Sequence, residues 1–78
     1  MGRLRRARVR GRVGRHWHYR DDCLWLKHPD GRNFTEVPVP HLVDEALLGG
    51  HVARLRSQAW VTEAHVRELL DIAAGTMR

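Results

Sequence analysis

The chain has 78 residues, 14 Lys and Arg against 9 Asp and Glu, a formal net charge of +5 and one cysteine. That length holds one domain and leaves no room for a second, and a single cysteine excludes an internal disulfide. No apolar run approaches the roughly twenty residues that cross a bilayer, and no apolar stretch follows the basic start as a signal peptide requires.

The charge is unevenly placed. Residues 1–20 carry eight arginines and no acidic residue, whereas residues 21–78 carry six basic and nine acidic residues. A basic segment joined to a mildly acidic body points to an anionic partner, either nucleic acid or an acidic protein surface. One unpaired cysteine suits a reducing cytoplasm. A core of this size is marginal, so a homodimer is one expected way to complete it.

In chain order, Arg6 to Val13 comes first and alternates strictly. A strand there places Arg6, Arg8, Arg10 and Arg12 in one guanidinium row, with Ala7, Val9, Gly11 and Val13 on the other face. Gly11 and Gly14 loosen the end of this segment, and a turn near 13–15 leads into His16–Arg20. Alternation in that stretch puts Trp17 and Tyr19 on one side and His16, His18 and Arg20 on the other. Asp21-Asp22 reads as a turn or bulge, and Cys23–Lys27 as a strand. His28-Pro29-Asp30-Gly31 follows the Pro-Asp-Gly turn pattern, and Arg32–Val37 returns as the partner strand of a hairpin.

Pro38 and Pro40 end the sheet, because proline cannot donate to a ladder. Pro40 opens a short helix through Leu48 that Gly49-Gly50 terminates, and His51–Ala59 reads as a second helix on Val52, Leu55 and Ala59, with an extended piece as the alternative because Val52, Arg54 and Arg56 also alternate with small or apolar residues. The last helix starts at Thr62 as N-cap, with Val61 stapled onto Val66. It carries the stripe Val66, Leu69, Leu70, Ala73 and the charge ladder Glu63, Arg67, Asp71, and stops at Gly75. The expected fold is α+β: a small antiparallel sheet of about three to four N-terminal strands packed against two to three C-terminal helices, mainly β over 1–40 and helical over 41–78.

Candidate chemistry centres on the basic segment. Arg6, Arg8, Arg10, Arg12, Arg15 and Arg20 form the expected polyanion-binding set, with Trp17 or Tyr19 stacking on bases. Trp25, Trp60, Leu24, Leu26 and Phe34 are the expected core. His16-x-His18 puts two imidazoles on one strand face, but with Cys23 and His28 the spacing matches no standard zinc pattern, and neither metal nor cofactor is expected. Asp21 and Asp22 point apart and make a poor acid–base pair. No Ser-His-Asp set, phosphate loop or dinucleotide glycine pattern is present. His16 or His18 beside Arg15 and Arg20 is the best general-base arrangement, and the balance of signals is against an enzyme.

From His28 onward the chain resembles the HicA-type mRNA interferase toxins, through His28-Pro29-Asp30-Gly31-Arg32, Val37-Pro38, His41, and Gly50–Ala59 leading into Val61–Leu70. The resemblance spans residues 28–70 and implies a double-stranded-RNA-binding-like fold. The family's catalytic histidine follows a Gly-Ser pair just before the turn. A gapless match puts Cys23 there, and an insertion brings Gly14-Arg15-His16 into that role, so a toxin-like ribonuclease would use His16. The family's N-terminal helix is replaced by the arginine strand. The leading expectation is therefore a small nucleic-acid-binding domain. The alternatives are a small inhibitor or accessory subunit docking on an acidic partner, and the toxin-like ribonuclease.

Overall fold

Three alternating segments become one antiparallel sheet in a computed structural model that describes residues 14–76. The expected arginine strand Arg6–Val13 lies outside the described residues. The strands are β1 (Trp17–Arg20), β2 (Cys23–Lys27) and β3 (Phe34–Pro38), in the order β1-β2-β3. β1 pairs with β2 as Trp17↔Leu26, His18↔Trp25, Tyr19↔Leu24 and Arg20↔Cys23. That register leaves a two-residue loop, Asp21-Asp22, with φ of 53° and 61°. Positive φ at both positions is the turn whose twist matches a right-handed hairpin, and aspartate is among the few side chains that tolerate it.

β2 pairs with β3 from Cys23↔Pro38 to Lys27↔Phe34. The connection is ordered by Asp30, whose Oδ1 accepts the N–H groups of Arg32 at 2.8 Å and Asn33 at 3.0 Å. Its Oδ2 accepts from Asn33 Nδ2 at 2.6 Å. The Asn33 and Arg32 amides hold the Asp30 carboxyl below its ordinary value. Gly31 sits in this loop at φ +75°, as the turn pattern requires.

After β3 a 3-10 segment (Val39–Val43) leads into α1 (Glu45–Arg56) and α2 (Glu63–Thr76). The expected break at Gly49-Gly50 does not occur: α1 runs through both glycines. Asp44 starts the helix instead, its Oδ1 accepting the Leu47 N–H at 3.1 Å. Neither glycine adopts the positive φ that a terminating glycine uses. Leu48, Val52 and Leu55 keep an i, i+4, i+7 stripe against the core across them, so packing overrides the two weak helix formers. Ala59, expected inside a second helix, lies beyond Arg56 and is exposed.

The helices cover one face of the sheet. Trp17, Leu24, Leu26 and Val37 point inward and meet Val39, Leu42, Leu55, Val66, Leu69 and Ala73. Trp17 is fully buried, and its Nε1–H donates to the His65 carbonyl at 3.0 Å, so its one polar atom is satisfied. Glu63 engages Arg56 in a two-pronged ion pair at 3.0 and 3.2 Å, which ties the end of α1 to the start of α2. Among the described residues no helix is long and apolar enough to cross a membrane.

Candidate nucleic-acid interface

Strand parity decides what the other face of the sheet displays. Leu24 and Leu26 point into the core, so Cys23, Trp25 and Lys27 must point away from it, with His18 and Arg20 beside them on β1 and Phe34 and Glu36 on β3. Trp25 and Phe34 are therefore outside the core in which the sequence reading placed them. Phe34 is 50% exposed, and Trp25 is only partly covered. Their rings meet edge to face, 6.2 Å apart at 85°.

The Trp25 ring is held in place. Its Nε1–H donates to the Arg20 carbonyl at 3.0 Å, and the Arg20 guanidinium carbon lies 5.9 Å from the ring centroid, within cation–π range. His18, Tyr19, Arg20, Trp25 and Phe34 line an open depression of about 380 Å³. Arg20 also approaches Asp21 at 3.6 Å, but both side chains are largely in solvent and the pair contributes little. On the β3 side, Glu36 accepts from the Cys23 thiol at 3.6 Å. Partial burial and then this carboxylate raise the Cys23 thiol above its ordinary value, opposite to what a nucleophile needs.

The expected binding residues separate into three groups. Arg6, Arg8, Arg10 and Arg12 lie outside the described residues, and Arg15 is exposed just ahead of β1. Arg20 and Tyr19 line the depression, Tyr19 being 46% exposed. Trp17 has no surface left on which a base could stack, because it is the largest side chain of the core. Trp25 and Phe34 offer that surface instead. The missed signal was local: two leucines flanking Trp25 at ±1 fix its direction once they are assigned to the core.

His16 and His18 do not share a face. His16 precedes β1 and turns under the sheet toward α2, where its Nδ1 lies 3.0 Å from Glu68 Oε2 and its backbone N–H donates to Oε1 at 2.8 Å. The Trp17 N–H reaches the same Oε1 at 3.3 Å. Burial raises the Glu68 carboxyl, but the amides of His16, Arg15 and Trp17 and the His16 ring outweigh it, and the net position is below the ordinary value. Gly14 approaches this carboxylate closely: at φ +103°, a Cβ on it would meet the Glu68 side chain at 2.5–2.7 Å.

The His16 ring packs edge-on against His65 at 4.4 Å, His65 against Trp60 at 5.7 Å, and His28 against the same Trp60 at 4.8 Å. His65 replaces the Glu or Gln of a capping box: its Nδ1 accepts the Thr62 N–H at 2.9 Å, a role only an unprotonated nitrogen fills. Burial first and the His16 ring second lower the His65 pKa, in keeping with that role. A separate pair, His41 and His51, stacks at 5.2 Å with Nδ1 and Nε2 3.0 Å apart; burial and then His41 lower the His51 pKa. Among the described residues no three His, Cys, Asp or Glu side chains converge on a point that could hold a metal.

Comparison with known proteins finds no matching family model, no matching curated protein and no matching solved structure, so the functional reading rests on this geometry and on the distribution of charge.

Proposed function

We propose that the protein binds nucleic acid. One observation carries the reading: an acid-free run of twenty residues with eight arginines ends at Arg20, on a sheet face that exposes Phe34 and leaves Trp25 partly uncovered. Guanidinium groups attract and grip phosphates, and uncovered aromatic rings on a sheet accept bases. The test is fluorescence anisotropy of DNA and RNA probes titrated with salt, with Arg6, Arg8, Arg10 and Arg12 replaced together by alanine. Affinity should fall by about 0.7–0.9 log units per contacted phosphate per decade of salt, and the variant should show a shallower slope. Absence of binding to every probe at low salt overturns the reading. A stoichiometric protein recovered with the chain, free of nucleic acid, would favour docking on an acidic partner instead.

The His16–Glu68 contact favours a second reading, the toxin-like ribonuclease. A carboxylate accepting from Nδ1–H orients the ring and leaves Nε2 with a lone pair, the form a general base needs. This reading expects RNA cleavage and growth arrest on expression, both abolished by His16→Ala. Normal growth of a host making ample protein, with RNA left intact, removes it.

A further inference from the structure

We infer that the open sheet face takes a single strand rather than a duplex, with phosphates running along β1 and unpaired bases seated against Trp25 and Phe34; this rests on the nucleic-acid reading above. The two rings stand 85° apart at 6.2 Å and form a corner over an open depression of about 380 Å³. A flat ring entering that corner stacks on one aromatic and meets the edge of the other, which requires a base whose face is not already covered by its neighbours. Bases in a duplex are stacked above and below, so a duplex could offer this surface only its phosphates.

Charge sets the direction of the strand's two sides. Arg20 and His18 lie on β1, and the acid-free segment enters at the same strand, whereas Glu36 on β3 is the Cα partner of Trp25 across the ladder. Phosphates are drawn to Arg20 at the β1 edge and repelled by Glu36 beside Trp25, while Lys27, the Cα partner of Phe34, lies at the far end of the same face, which favours a strand passing along β1 with its bases turned toward β2. Arg20 can turn to serve them: its side chain is 76% exposed, its pair with Asp21 at 3.6 Å lies in solvent and is weak, and at 5.9 Å its cation–π contact is near the limit of the interaction. Trp25, by contrast, is fixed by its bond to the Arg20 carbonyl, so its ring is already oriented before a base arrives.

The experiment is a salt-titrated anisotropy series on the full chain with a short oligothymidylate, an oligouridylate and a mixed-sequence duplex of equal length. Single strands should bind about tenfold or more tightly than the duplex at matched salt. Trp25→Ala and Phe34→Ala should each weaken single-strand binding about tenfold while leaving the salt slope and duplex binding unchanged. Arg20→Ala should lower the single-strand slope by about 0.7, one phosphate's share. Glu36→Gln should tighten binding by a few fold. All four side chains lie outside the core, and a thermal melt of each variant separates lost binding from lost folding. Equal binding of duplex and single strands, with Trp25→Ala neutral, overturns this inference and leaves the nucleic-acid reading standing. No binding of any probe at low salt overturns both.

Discussion

The two faces of this sheet are made by alternate residues of the same strands, yet they answer to different demands. On the inner face Trp17, Leu24, Leu26 and Val37 are covered by the helices, and the Trp17 indole N–H has its acceptor. On the outer face Phe34 is half exposed and Trp25 partly covered beside Arg20, both on the side of the sheet opposite Leu24 and Leu26. Folding alone explains the first set, since apolar area removed from water is what stabilises so small a domain. It explains the second set only in small part, because a pair of aromatics on the outer face of a sheet adds only about 0.2–1 kcal/mol. The contrast teaches that an aromatic's role in a small domain is decided by its parity within the strand, not by its size.

That contrast is broken or sharpened by mutation. Trp17→Ala should cost about 3–5 kcal/mol of stability, enough to unfold the domain, whereas Trp25→Ala should stay within about 1 kcal/mol; paired urea melts measure both. Equal losses at the two positions would erase the distinction between the faces. Next in size is the strut beneath β1. Glu68→Gln should cost about 1–3 kcal/mol, because the carboxylate is mostly buried and collects backbone amides as well as the His16 ring. Gly14→Ala should fall in the same range, since it combines a positive φ with a clash against that carboxylate.

Smaller effects concern the helices. Gly49→Ala and Gly50→Ala should each stabilise by about 0.5–1 kcal/mol, because both positions are helical and open space surrounds a Cβ there. The smallest is a pH effect. His65 and His51 have folded pKa values below the ordinary histidine value, so the unfolded chain takes up protons first. Their contribution is complete above about pH 6.5 and is lost as pH falls from there through the folded values. Melting temperature should therefore decline on acidification, and His65→Gln, which keeps an acceptor for the Thr62 N–H, should make that decline shallower. A steeper decline in the variant would contradict the assigned capping role.

Much of the fold was legible because it is local. Alternation marked β1, a dense apolar stretch marked β2, the Pro-Asp-Gly turn marked the second hairpin, and the stripe Val66, Leu69, Leu70, Ala73 marked α2, although Leu70 is exposed and only the other three reach the core. Two departures from the local pattern share one cause. By its own tendency Gly49-Gly50 ends a helix, and by theirs Trp25 and Phe34 belong in a core. The neighbours Leu48, Val52 and Leu55 in one case, and Leu24 and Leu26 in the other, decide the outcome through tertiary packing. The Glu68 contact with His16 could not be read at all: the partners are 52 residues apart, and no spacing rule connects the end of one sheet strand to a helix turn that far along the chain.

The three tryptophans occupy three different surroundings: Trp17 sealed in the core, Trp60 partly covered between His28 and His65, and Trp25 partly covered on the outer face of the sheet beside Arg20 and Phe34. The molecule thus carries its own set of optical reporters. Emission from Trp17 follows unfolding, that from Trp60 follows the state of the His65 ring packed edge-on against it, and that from Trp25 follows whatever settles on the outer face of the sheet. Trp25→Phe and Trp60→Phe, each keeping Trp17 in the core, would separate the three signals by difference, without any label attached to the protein.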